Sequence, residues 1–208
     1  MQNDDAFVSL RGRIAYHSLL DNHTGYDKGA EIQFLHTDAR YYPERDAVEL
    51  EELDVLRVLS LAPRSEFFHP GSWKVLAGAS QLDQREHADD LVGHLRTGAG
   101  LVYEPAPLDL AWLWLEGTVL GGGVLDHGYA AGAGPAAGFM FMAGKRWKHL
   151  VEARANYFAL GQEYWTTGLS WGQDVQLSAN RSISLELSHD RNDGLDVNEA
   201  QLRLNMYF

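Results

Sequence analysis

The feature that most constrains this chain is its last stretch, Ser182 to Phe208. Ile183, Leu185 and Leu187 alternate with Ser184, Glu186 and Ser188. After the break Asn192-Asp193-Gly194, Ala200, Leu202, Leu204, Met206 and Phe208 alternate with Gln201, Arg203, Asn205 and Tyr207. Successive side chains of an extended chain point to opposite faces, so each segment carries one apolar and one polar face. Two such segments around Asn-Asp-Gly predict a hairpin of half-buried strands. The stretch ends on an aromatic residue that continues the apolar face, as the closing strand of a membrane barrel does in its aromatic girdle. The expected fold is therefore all-β: an antiparallel, up-and-down transmembrane β-barrel of about 12 strands, forming a single domain over residues 1–208. Ile183, Leu185, Leu187, Ala200, Leu202, Leu204, Met206 and Phe208 are expected to face lipid. Arg203, Asn205 and Glu186 are expected to face the lumen.

The rest of the chain repeats this pattern. Strand-like segments run Phe7–Leu20, Ala30–Tyr42, Ala47–Leu61, Ser72–Gln81, His94–Glu104, Asp109–Gly121, Tyr129–Gly144, Trp147–Phe158 and Glu163–Leu177, ahead of the final two. Turn signals such as Pro43-Glu44-Arg45-Asp46 separate them. Lengths of roughly 10 to 15 residues suit a tilted crossing of a bilayer, whereas soluble strands average about five or six. Eleven segments is an odd number, and bacterial single-chain barrels use even ones. A strand upstream of Met1, or a misdivision of Ala47–Leu61, would reconcile the two. The charged stretch Leu82–Gly93 reads as a loop. Trp112, Trp114, Trp165, Trp171, Phe139 and Phe141 are placed on apolar faces, where tryptophans at strand ends form interfacial belts. In a soluble sandwich or lipocalin-like barrel the same residues would fill the core. Glu152, Arg154 and Asn156 fit a polar lumen network.

Charge and composition narrow the partners. A formal charge of −12 argues against nucleic acid. The absence of cysteine excludes a cysteine nucleophile or thiolate metal site within this chain. No run is long and apolar enough for a transmembrane helix, a test to which a barrel is blind. The opening Met1-Gln2-Asn3-Asp4-Asp5 has no signal-peptide pattern, so an exported protein would have to supply one upstream. The chain is accordingly expected to be the C-terminal part of a longer protein.

Two blocks carry a family resemblance. The first is Tyr16-His17-Ser18-Leu19-Leu20-Asp21, followed by Gly25-Tyr26 and Ala30-Glu31-Ile32-Gln33-Phe34. The second is Leu59-Ser60-Leu61-Ala62-Pro63-Arg64-Ser65-Glu66-Phe67-Phe68, with Pro70 and Ser72-Trp73. They resemble the C-terminal region of proteins with an Lnb-type N-terminal periplasmic domain, with Ser18 where that family usually has Asp. The closing Leu202-x-Leu204-x-Met206-Tyr207-Phe208 is similar to the signature read by the barrel assembly machinery. The resemblance implies a papain-like periplasmic domain, carrying the cysteine and histidine of lipoprotein acyl transfer, followed by a β-barrel in the Gram-negative outer membrane. Outer-membrane lipids, the barrel assembly machinery and the periplasmic domain of the same parent chain are the implied partners. Counting strands back from a periplasmic Phe208 puts the Asp21–Gly29 and Ala62–Gly71 loops in the periplasm. Asp21, Gly25, Tyr26, Pro63, Arg64, Phe67 and Phe68 are therefore expected to dock that domain.

Nothing contiguous in the sequence is chemically specific. Ser188-His189-Asp190 places three triad residue types side by side, but neighbours on a strand face opposite ways. His17 and Asp21 read as a strand end and a turn-forming residue. His87 with Asp89 and Asp90 fits either a cation site or a solvated loop. Gly121-Gly122-Gly123 and the Gly132–Gly138 stretch read as turns, or as positions where another element approaches closely. No catalytic, cofactor or metal residue is assigned. The expected function is an anchor and scaffold for the periplasmic acyltransferase-like domain, not catalytic by itself. Two alternatives stand beside it: a lipid-modifying barrel hydrolase or acyltransferase with Ser and His on neighbouring strands, and a passive pore.

Overall fold

A computed structural model of the chain describes residues 6–21, 28–82 and 90–207. Eleven strands account for nearly all of them: β1 (Val8–His17), β2 (Ala30–Tyr42), β3 (Ala47–Ser60), β4 (Ser72–Leu82), β5 (Asp90–Tyr103), β6 (Leu110–Gly121), β7 (Tyr129–Met142), β8 (Trp147–Gly161), β9 (Tyr164–Ser178), β10 (Arg181–Asn192) and β11 (Leu195–Met206). Each pairs antiparallel with its chain neighbours, in the unbroken order β1 to β11. The sheet curls into a half-barrel. Short turns make this topology local: β9–β10 and β10–β11 are joined by two residues each, the latter through Asp193 and Gly194, both at positive φ. Two-residue connections with positive φ match the right-handed twist of the strands they join.

The described residues hold eleven strands, the number of segments read from the sequence. Ala47–Leu61 is not two strands: β3 is one 14-residue strand, accommodated by register shifts against both neighbours. Among the described residues no ladder joins β11 to β1. Side chains cross that edge instead, with Arg40 Nη1 of β2 lying 2.7 Å from Glu199 Oε2 of β11. The Leu82–Gly93 stretch divides, since Leu82 ends β4 and Asp90–Gly93 open β5; residues 83–89, with His87 and Asp89, lie outside the described residues. Gly132–Gly138 is strand rather than turn, and there the close-approach reading holds: a Cβ at Gly138 would meet the Trp112 ring.

The two faces of the sheet have inverted polarity. The side chains buried on the inner face include Glu31, Asp38, Arg40, Asp54, His94, Glu116, Asn156, Asp174 and Gln201. The outer face exposes Leu10, Ile14, Val48, Leu95, Leu113, Leu115, Leu169 and Leu202. Trp165 and Trp171 are exposed on it, at 61% and 42%. Trp112 and Trp114 correct the expectation that they lie outward: they are 5% and 4% exposed and pack inside with Leu19, Leu61, Val102, Leu110 and Met140. They share their strand parity with Glu116 and Thr118, both buried on the inner face, and alternation carries the indoles in with them. A second apolar cluster, of Leu82, Val92, Leu120, Leu125, Ala130, Phe158 and Tyr164, packs the other end of the same strands.

Candidate functional site

Side chains two strands apart are normally separated by the strand between them, since adjacent strands lie about 4.8 Å apart. On this inner face glycine removes that barrier three times. Lys74 of β4 pairs with Glu116 of β6 across Gly98. Arg154 Nη2 of β8 lies 2.6 Å from Asp190 Oδ1 of β10 across Gly168. Asp54 of β3 and His94 of β5 meet across Gly78 of β4. A Cβ at Gly78 would stand 2.7 Å from both the Cα and the Oδ1 of Asp54, so any side chain there would displace the pair.

The third bridge has a chemistry the other two lack. His94 Nε2 lies 3.0 Å from Asp54 Oδ1, and its other ring nitrogen, Nδ1, lies 3.3 Å from the hydroxyl of Ser80. Both the His94 and Asp54 side chains are 1% exposed. Ser80 is half-buried, two residues from the end of β4. The second Asp54 oxygen accepts from Arg57 at 2.7 and 3.1 Å, which fixes the carboxylate plane. An ionised carboxylate only accepts, so Asp54 holds the proton of a neutral His94 on Nε2 and leaves Nδ1 as an acceptor for the Ser80 hydroxyl. Serine, imidazole and carboxylate are thereby placed in series from three consecutive strands. Ligand atoms of Glu52, Asp54 and His94 also lie within 4.8 Å of one another. Arg57 already occupies both carboxylates there, at 3.3 Å from Glu52 and 2.7 Å from Asp54. The cluster is thus an ion-pair network, and a cation would have to displace a guanidinium.

A second polar centre lies at the end of the half-barrel where the chain finishes. Asp21 accepts both bonds of a bidentate pair from Arg13 Nη2, at 2.8 and 2.9 Å, and further bonds from the Ser18 amide and the Tyr207 hydroxyl. Burial pushes the Asp21 carboxyl up, but the Arg13 charge and these bonds outweigh it and hold the group below its ordinary range. Burial, then the Asp21 charge, pushes the Tyr207 hydroxyl up to about 12. Lys148 Nζ reaches from β8 to the backbone carbonyls of Leu19 and Asp21. Segment 18–21 is therefore drawn inward and tied to β8 and the chain's end.

With this geometry in hand, one comparison decides the family: the profile of a single domain family matches residues 1–207. The chain belongs to the DUF7840 family, a domain of unknown function. No curated protein sequence and no solved structure matches it. In this DUF7840 chain, Ile183, Leu187, Ala200, Leu202, Leu204 and Met206 lie exposed on the outer face, and Leu185 is half-buried there between Leu202 and Gln173. Arg203 pairs with Glu186, and Asn205 Nδ2 donates to the Ser182 and Ser184 hydroxyls at 3.1 and 3.0 Å. Phe67 and Phe68 are exposed at 82% and 75%, with Pro63 and Arg64 half-buried at the loop's base. Asp21, half-buried at the end of segment 18–21, is bonded to Arg13 and Tyr207. Gly25, Tyr26 and Phe208 lie outside the described residues. Ser188 and Asp190 share the inner face, where Asp190 pairs with Arg154, while His189 turns to the other face and pairs with Asn198. Sequence reasoning missed Ser80, His94 and Asp54 because their spacings, 26 and 14 residues, have meaning only once the strand register is known. The one local signal is Gly78, an inner-face glycine in a strand otherwise filled with side chains.

Proposed function

We propose that the chain is the membrane-spanning β-barrel domain of an outer-membrane protein, and that it anchors a periplasmic acyl-transfer domain on the same parent chain. The observation that carries the first half is the inverted polarity: charged groups are buried on the inner face while large aliphatics stand in the open on the outer one. In water that arrangement leaves most of the apolar surface exposed, but in a bilayer the outer face is solvated by acyl chains. Aromatic residues add a height. Trp73, Tyr103 and Trp147 are exposed near the end where the chain finishes, and Tyr41, Tyr129 and Trp165 near the opposite end. On β8, Trp147 and Tyr157 both face outward. Ten residues separate them, or ~33 Å of strand, which becomes ~25 Å at a tilt of about 40°. An apolar band about 25 Å tall between aromatic girdles is the form of an outer-membrane barrel.

The anchoring half rests on the block resemblance and on loop placement. The β1–β2 and β3–β4 loops, which carry both blocks, share one end of the sheet, and Phe67 and Phe68 offer an apolar surface there. A barrel holding a catalytic domain at the membrane would raise its effective concentration beside lipoprotein and phospholipid. The pore alternative is less well supported, since Lys148 ties segment 18–21 across the inner face.

Reconstitution tests both halves. Residues 1–208 should fold into outer-membrane lipid vesicles and become protease-resistant. Joined to the upstream periplasmic domain, they should raise N-acyl transfer to a lipoprotein above that of the free domain in the same vesicles. A chain that stays soluble and monomeric without detergent refutes the first half. Equal acyl transfer with and without the barrel refutes the second.

A further inference from the structure

We propose that Ser80, His94 and Asp54 form a serine acyl-transfer centre on the inner face, acting on carboxylic esters of apolar acyl chains. The inference stands on the geometry of β3, β4 and β5 and does not need an attached domain. A bare structural network would require only charge compensation, as the Lys74–Glu116 and Arg154–Asp190 bridges supply. The Asp54–His94 bridge differs in presenting a hydroxyl to the free imidazole nitrogen, and this order of groups makes a serine nucleophilic. Arg57 shares its charge among Glu31, Glu52 and Asp54, at 3.9, 3.3 and 2.7 Å, so Asp54 keeps negative character toward the imidazole.

The surroundings name the substrate class. Val92 lies directly opposite Ser80, and Leu120 directly opposite His94. With Leu82 they open the apolar cluster that continues to Phe158 and Tyr164, a lining suited to an acyl chain.

In the first step the Ser80 Oγ bonds to the ester carbonyl carbon as its proton passes to His94 Nδ1. The carbon–oxygen bond to the leaving alcohol then breaks, and the alkoxide takes the proton from His94. This leaves an acyl group on Ser80. Water adds by the same route, giving its proton to His94, which returns it to Ser80 as the carboxylic acid departs. Ester and water become acid and alcohol; an acceptor alcohol in place of water gives acyl transfer. Asp54 stays ionised and orients the imidazole throughout.

The test uses residues 1–208 folded in detergent micelles, a fluorophosphonate probe and p-nitrophenyl esters of short and medium chain length. We expect a phosphonyl adduct that maps to Ser80, with ester turnover lost in Ser80→Ala. His94→Gln should lower labelling about 100-fold or more, and Asp54→Asn comparably. Ser188→Ala, on the same face but outside the centre, should label as the parent does. Peptide mapping on the unsubstituted chain decides the matter even if a variant fails to fold. A folded parent chain with no Ser80 adduct from about pH 6 to 9, or an adduct undiminished in His94→Gln, overturns the proposal. Because no upstream domain is present, this outcome is independent of the lipoprotein acyl transfer that tests the anchoring role.

Discussion

Adjacent residues on one strand give the sharpest test of the membrane reading. Leu187 and Ser188 are the seventh and eighth of the 12 residues of β10, so they share one depth near the strand's centre and face opposite ways. Leu187 lies outward between Trp171 and Ala200, 37% exposed. Ser188 lies inward, half-buried between Ser170 and Glu199, with Glu186 and Asp190 before and after it on the same face. A charge placed at Leu187 has no partner and meets hydrocarbon, at a cost of about 2–4 kcal/mol for Arg at the midplane. A charge at Ser188 meets carboxylates. Since about 1.4 kcal/mol is a tenfold change in an equilibrium constant, Leu187→Arg should reduce the folding equilibrium in lipid by roughly 30- to 700-fold relative to Ser188→Arg. The assay is urea titration of each variant into phosphatidylcholine vesicles, followed by tryptophan fluorescence and by folded-form mobility on gels. Leu204→Arg, two residues from the end of β11, should cost far less, about 0–1 kcal/mol as an interface position does. Equal losses at Leu187 and Ser188, or a larger loss at Ser188, would refute the assignment of faces.

Three further outcomes follow from the inner face. Gly78→Val should break the Asp54–His94 bridge, lower stability by about 1–3 kcal/mol through overpacking and abolish any Ser80 labelling; Gly71→Ala, where a Cβ meets nothing within 4 Å, should change the urea midpoint little. Asp21 is held below its ordinary range in the folded chain, so its contribution is present above the unfolded value of 3.8 and is lost as pH falls through the lower folded value. Tyr207 is raised, so its contribution is whole below 10.0 and is lost as pH climbs through about 12; Asp21→Asn should flatten the acid limb of the urea midpoint measured against pH. Lys148→Met should cost about 1–3 kcal/mol by removing the donor to the Leu19 and Asp21 carbonyls, with faster hydrogen exchange at residues 18–21 as its local sign.

Much of this protein is legible in one dimension because its strands follow one another in space as they do in the chain. Period-two alternation in Ser182–Phe208 defined β10 and β11 and their faces, and the positive-φ pair Asp193-Gly194 marked the turn between them. Trp112 and Trp114 show where that logic must be followed through parity: on a strand apolar on both sides, the buried Glu116 and Thr118 identify the inner face. Strand number at the edge was not legible, since alternation is silent on whether β11 finds β1. The meeting of Ser80, His94 and Asp54 was decided by tertiary structure alone. Register, set by turns and by the irregularity between Asp54 and Leu56, aligns the three strands, and the missing side chain of Gly78 lets an imidazole reach a carboxylate two strands away. Local periodicity determines which side of a strand each residue occupies, because that depends only on the pleat. Which residues touch across the sheet depends on how far each strand slides along its neighbour, and no local pattern records that distance.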